Sequence, residues 1–272
     1  MYLLRACRYL LDLRRNNLSI KIRFLGTAAF EIITSDNKRV LIDPYLDENE
    51  FSPYKVDTLE PVDLLLVTHA AYDHLGDTLK IMRRFPDLPL ICGADVRGYL
   101  KRNGIAEDRL MALPWGMKAR AGGVTVRSVE SRHWSYIESE DGMSFSSIPL
   151  GYVIDVGDDV RVYHSGDTTL FGDLKLIGEL YKPTVGLLNV GVPENHRGAE
   201  HGIAEYLTGE MDALEASMAC PWLNLQYAIP CHHDNPKLPQ IMKFNQLLSE
   251  ARQINPEATE PVILAPGETF TI

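Results

Sequence analysis

The sequence predicts an α+β protein: an αββα four-layer sandwich in which two mixed sheets pack face to face under outer helices. Three observations carry this expectation. Short apolar runs closed by Gly, Pro or polar clusters recur along the chain, and helical stretches follow them in both halves. No repeat period, low-complexity tract or obvious linker divides the chain. Four of the apolar runs end in imidazole or carboxylate side chains, which places a site where the two sheets meet at one edge.

The elements follow in order. Residues 1–15 set Leu3, Leu4, Cys7, Leu10 and Leu11 on one helical stripe, while Arg5 and Arg8 interrupt the apolar core a signal peptide would need. Residues 1–19 therefore read as an amphipathic extension, packed on the body or on a neighbouring subunit, and residues 20–272 as the main domain. Segments 20–25, 29–34 and 39–42 alternate as strands, the last two joined across Ser35-Asp36-Asn37-Lys38. Leu64-Leu65-Leu66-Val67 is a buried strand, followed by a helix over 78–85 with Asp77 in position to cap it. Beyond it lie a strand at 88–92, a helix at 95–103 closed by Gly104, and a strand at 123–130. A hairpin at 148–155 and 160–164 precedes a helix at 170–181 and a strand at 184–190. A helix over 202–220 broken by Pro221, a strand at 225–229, a helix at 238–253 and strands at 262–265 and 269–272 complete the chain.

Composition bounds the function. The 272 residues are 45% hydrophobic and 24% charged, ordinary for a globular protein able to bury a large core. The net charge of -10, from 27 Lys and Arg against 37 Asp and Glu, disfavours nucleic-acid partners and points to a small-molecule substrate. No run of about eighteen apolar residues is present to span a membrane. Cys7, Cys92, Cys220 and Cys231 lack paired spacing and read as reduced core residues of a cytoplasmic protein.

The chemistry gathers at strand ends: His69, Asp73 and His74 after the first buried strand, then His133, Asp167 and His232 after later ones. Imidazole and carboxylate are metal-ligand types, and side chains from separate strand ends can be aimed at one point. Thr68-His69-x-x-x-Asp73-His74-Leu75-Gly76-Asp77 resembles the His-x-His-x-Asp-His motif of the metallo-β-lactamase superfamily. Gly166-Asp167-Thr168 and Pro230-x-His232 are similar to its later motifs, which favours His232 over His233. The opening hairpin through Asp43-Pro44-Tyr45 and the closing Pro266-Gly267-Glu268-Thr269-Phe270 resemble the ascorbate-6-phosphate lactonase-like branch. The resemblance runs from Ile20 to the C-terminus.

The resemblance implies the metallo-β-lactamase fold and one or two divalent ions, Mn²⁺, Zn²⁺ or Fe²⁺. His69, His133 and Asp167 would hold the first and Asp73, His74, Asp167 and His232 the second, with Asp43 supporting the ligand loop. A water acidified there would attack a small ester or lactone, phosphorylated or not, in the manner of the lactonase-like branch, and Asp73 would accept its proton. Ala71 stands where the motif has its middle histidine. Three readings follow: water or another side chain takes the place, one ion binds alone, or the protein is a degenerate, non-catalytic metal binder. A phosphodiesterase or nuclease of the same fold is the other enzymatic alternative. His196, Arg197 and His201, after the 184–190 strand, are candidates for substrate contact, and Tyr72 and Trp134 for pocket walls. Homo-oligomerisation is left open.

Overall fold

The computed structural model describes residues 19–191 and 209–272. Two seven-stranded sheets form its centre. The first is built from β1 (Lys21–Gly26), β2 (Ala29–Ile33), β3 (Arg39–Ile42), β4 (Leu64–Leu66), β5 (Leu90–Cys92), β6 (Leu110–Ala112) and β16 (Thr269–Thr271), in the order β16-β1-β2-β3-β4-β5-β6. The second comprises β7 (Lys118–Ala121), β8 (Val124–Glu130), β11 (Leu150–Gly157), β12 (Val160–His164), β13 (Val185–Asn189), β14 (Tyr227–Cys231) and β15 (Glu260–Pro261). Its order is β15-β14-β13-β12-β11-β8-β7. A separate hairpin joins β9 (Tyr136–Glu138) to β10 (Ser144–Ser146).

Helices cover both outer faces. On the first sheet lie α1 (Tyr72–Leu75), α2 (Thr78–Arg84) and α3 (Ala94–Arg102), and on the second α4 (Leu174–Tyr181), α5 (Ala213–Leu223) and α6 (Pro239–Ile254). Side-chain alternation explains the layering. Leu64 and Leu66 enter the core between the sheets with Phe24, Tyr152 and Leu187, whereas Leu65 and Val67 face Ile81 and Leu100 under the helices. A strand buried on both faces must be apolar throughout, hence the unbroken Leu-Leu-Leu-Val run. The expected αββα sandwich is the observed architecture.

Details differ from the sequence reading. The two final strands belong to opposite sheets: β15 pairs with β14 and β16 with β1, and no strand forms at 262–265. Pro221 does not end a helix, because α5 runs through it to Leu223 while burying Ala216, Ala219, Cys220 and Leu223. That burial outweighs the hydrogen bond a proline forfeits near a helix C-terminus. Within the described residues this helix begins at Ala213, where Asp212 and Glu215 form a reciprocal capping box. Asp77 stands at the head of α2 without capping it, since its carboxylate accepts from Leu46 N and Asp47 N, both at 2.8 Å. No helix among the described residues is long and apolar enough to cross a membrane. The amphipathic stretch expected at 1–15 lies outside the described residues.

Candidate metal centre

The centre is built from behind by Asp43. This residue leaves β3 fully buried with φ 45°, in the left-handed region that favours glycine. Its Oδ1 accepts from Thr68 N at 2.8 Å, and its Oδ2 accepts from Thr68 Oγ1 and His74 Nδ1, both at 2.7 Å. A carboxylate only accepts, so its partners place the proton of His74 on Nδ1. The Thr68 hydroxyl, its proton given to Asp43, accepts from His69 Nδ1 at 3.0 Å. One buried acid thus fixes the tautomers of two histidines and leaves both Nε2 lone pairs directed away from it.

Gly76 explains the end of the ligand motif. It closes α1 at φ 39°, and a Cβ there would stand 2.4 Å from Pro44 O and 2.8 Å from Tyr45 Cα. Only glycine lets the loop after β3 lie against the ligand loop, where Asp77 N donates to Pro44 O at 2.8 Å.

The remaining strand ends meet the same point. Asp167 follows β12, and its Oδ2 lies 3.1 Å from His74 Nε2 and 3.2 Å from His232 Nε2. His232 Nε2 is also 3.4 Å from Asp73 Oδ2. His133, beyond β8, brings its ring to 5.3 Å from that of His69. Three sets have ligand atoms within 4.8 Å of one another: His69, His133 and Asp167; Asp73, His74 and His232; and Asp167, Glu210 and His232. All six residues expected as ligands are therefore brought together. His69 Nε2, His74 Nε2, His232 Nε2 and Asp167 Oδ1 are buried without a hydrogen-bond partner, the short contacts to Asp167 lacking the required alignment. Buried polar atoms are almost always paired. Four orphans converging with ligating lone pairs form a donor set that fits a divalent cation.

The electrostatics agree. Burial, aided by the charge on His74, pushes the His69 imidazole down to about 3. Burial also opposes charge on His74 and His232, yet Asp167 and the neighbouring carboxylates outweigh it and raise both well above the usual range. Burial works against ionised Asp73 too, but His74 and His232 hold it at about 2. Asp167 likewise stays well below the usual carboxylate range, because His232 and His74 overcome its desolvation. A potential that retains protons on buried imidazoles is one from which a divalent cation displaces them.

A cleft of about 280 Å³ opens onto one side of the cluster, with Asp73 and His232 in its wall beside Thr27, Tyr45, Phe51 and Tyr72. The Tyr45 and Tyr72 rings meet edge to face at 5.8 Å, and Tyr72 is 74% exposed. Trp134, expected in a pocket wall, is not among the residues lining this cleft, and its ring lies 5.6 Å from that of His133. His232 takes φ 65°, held there by its N donating to Thr27 O at 2.6 Å, while Thr27 N donates to His233 O at 3.1 Å. This bridge ties the turn after β1 to the end of β14 and sends the two histidines to different places. His233 packs on Phe24 at 4.9 Å, where burial pushes its pKa down to about 4. Cys231 is a core residue. His196, Arg197 and His201 lie outside the described residues.

Glu210 was not foreseen. In sequence it falls inside the helix expected over 202–220 and belongs to no motif, whereas in the structure it precedes Ala213, the first residue of α5. The structure buries it to 7% exposure beside the cluster.

Residues 38–233 match the family described as the beta-lactamase superfamily domain. A UPF0173 metal-dependent hydrolase of Methanosarcina mazei is 40% identical over 254 residues, spanning 93% of this chain and 99% of its own. One from Archaeoglobus fulgidus is 34% identical over 252 residues, spanning 92% and 98%. Among solved structures the chain is similar to Igni18, a novel metallo hydrolase from Ignicoccus hospitalis, with a TM-score of 0.71 at 28% identity over 93% of this chain and 98% of that one. The diiron β-hydroxylase CmlA from Streptomyces venezuelae shares the fold, with a TM-score of 0.66 at 16% identity over 93% of this chain and 54% of its own.

Proposed function

The chain belongs to the metallo-β-lactamase superfamily, among the UPF0173 metal-dependent hydrolases, and from that premise we propose that it hydrolyses a small ester or lactone with His69, Asp73, His74, His133, Asp167 and His232 as metal ligands. The observation that carries this reading is the set of four orphaned, buried ligand atoms from three strand ends. One or two divalent ions there supply Lewis acidity, which lowers the pKa of water and stabilises oxyanion charge.

The chain's own residues do the rest. Asp167, in contact with His74 and His232 and grouped with His69 and His133, is the carboxylate shared between the two ligand sets. Asp73 lies in the cleft wall and is held ionised near neutral pH, so it is placed to take a proton from the nucleophile. Tyr45, Phe51 and Tyr72 offer aromatic surface to the organic part of a substrate. No lysine or arginine stands among the described residues lining this cleft, and Glu48 and Glu50 do. That favours a neutral ester or lactone over a phosphorylated one, whose charge would call on His196, Arg197 and His201.

The test is metal analysis of the purified protein after reconstitution with Mn²⁺, Zn²⁺ or Fe²⁺, with turnover measured on a panel of lactones, esters and phosphodiesters. Metal uptake with lactone or ester hydrolysis is expected. A protein that takes up no metal would end this reading. Turnover of bis-p-nitrophenyl phosphate alone would replace it with a phosphodiesterase.

A further inference from the structure

The ligand loop offers Ala71, 4% exposed, where a side chain able to bind metal would complete the set around His69. We propose that Glu210 supplies the ligand missing at position 71, so that the centre carries a second carboxylate beside Asp167. The inference rests on the metal-centre reading above and adds a residue to it.

Three observations carry it. The Glu210 side chain is 4% exposed, and its Oε1 lies 3.9 Å from His133 Nε2, too far for a hydrogen bond. A Glu210 oxygen also lies within 4.8 Å of ligand atoms of Asp167 and His232, so the carboxylate is near ligand atoms of both His133 and His232. In that same group Asp167 Oδ1 and His232 Nε2 are buried without hydrogen-bond partners. Two buried carboxylates this close repel one another, and a cation between them removes the penalty.

The backbone fixes this placement. Met211 N donates to Thr168 O and Gly191 N donates to Met211 O, both at 3.1 Å, which pins the residue after Glu210 beside the Asp167 loop and the end of β13. Exchanging an imidazole for a carboxylate makes the donor set harder, which favours Mn²⁺ or Fe²⁺ over Zn²⁺.

The experiment compares wild type, Glu210→Ala, Glu210→Gln and the double variant Ala71→His/Glu210→Ala. Bound Mn²⁺ and Zn²⁺ are counted by elemental analysis, and affinities are read by competition with a chelator. Loss of a supporting residue behind a ligand weakens metal binding about 10–100-fold, and loss of a ligand should cost no less. Glu210→Ala is expected to lose one equivalent or about tenfold in affinity, Mn²⁺ more than Zn²⁺, with Glu210→Gln between it and wild type. The double variant should regain the metal and shift towards Zn²⁺. If Glu210→Ala does not fold, the isosteric Glu210→Gln decides. Wild-type stoichiometry and affinity in the single variants would overturn the inference while leaving the hydrolase reading intact. Loss without recovery in the double variant would overturn the substitution for residue 71. A metal-free wild type would sink both readings together.

Discussion

Asp43→Asn keeps the volume of a buried side chain and changes only its hydrogen-bond sense. With the amide oxygen left on Thr68 N, the NH₂ group faces Thr68 Oγ1 and His74 Nδ1, where an acceptor had stood at 2.7 Å. His74 can then only accept at Nδ1, and its proton moves to Nε2, 3.1 Å from Asp167 Oδ2. A protonated Nε2 has no lone pair for a cation. With the amide flipped, its NH₂ opposes the Thr68 N–H and a buried donor loses its partner. Removing one charge-assisted hydrogen bond costs about 1.5–3 kcal/mol. At roughly 2–4 °C per kcal/mol for a chain of this size, the metal-free protein should melt about 3–12 °C lower. Metal affinity should fall about 10–100-fold, or about 1.4–2.8 kcal/mol, as when the carboxylate behind a ligating histidine is lost. Calorimetric titration with Mn²⁺ or Zn²⁺ measures it. Affinity within twofold of wild type would show that Asp43 braces the loop and does not set the tautomers.

Other outcomes follow from the same geometry. Asp167→Ala removes the carboxylate that touches both His74 and His232. It should abolish metal-dependent hydrolysis, whereas His133→Ala should lower it about 10–100-fold, and wild-type rates in both would refute the ligand assignment. Gly76→Ala puts a Cβ 2.4 Å from Pro44 O at φ 39°. Backbone strain of about 1–3 kcal/mol plus this clash should shift the urea midpoint down, and an unchanged midpoint would contradict the close approach. His164 accepts from Gly166 N at Nδ1 (3.0 Å), and its Nε2–H donates to Ala28 O (3.1 Å), so it is neutral, and burial lowers its pKa. The unfolded imidazole, with its pKa of about 6.5, takes up protons first as pH falls, so stability is full above that value and declines below it. Chelator-treated protein should melt progressively lower from pH 7 to 5, and His164→Gln should reduce the slope; identical slopes would assign the acid lability elsewhere.

Strands buried on both faces declare themselves locally. Leu64–Val67 and Val185–Leu188 are continuous apolar runs because helices cover one side and the opposite sheet the other. Their ends, where chemistry must begin, are equally visible. Strands that owe their state to pairing carry no such mark. Lys118–Ala121 and the hairpin of Tyr136–Glu138 with Ser144–Ser146 are half-exposed, and their alternation spans only three or four residues with one or two small or single apolar side chains, so they pass for loops. The final crossing from β15 to β16 is similarly silent, since which sheet receives a strand depends on partners more than a hundred residues away, such as Arg23 for Thr269.

The candidate site divides along the same line. His69, Asp73, His74, His133, Asp167 and His232 are legible because each sits at a short, fixed offset from an apolar strand, so local pattern alone predicts where its side chain goes. Glu210 has no strand before it among the described residues, and its position is inherited from the hydrogen bonds of Met211 to Thr168 and Gly191. Asp43 is intermediate: its place after β3 is readable, but its grip on both His74 and the Thr68 hydroxyl beneath His69 exists only once β3 and β4 pair in parallel register. Candidate ligands set by local sequence are thus found by motif, and a candidate set by tertiary pairing is found only by asking what stands in the space beside Ala71.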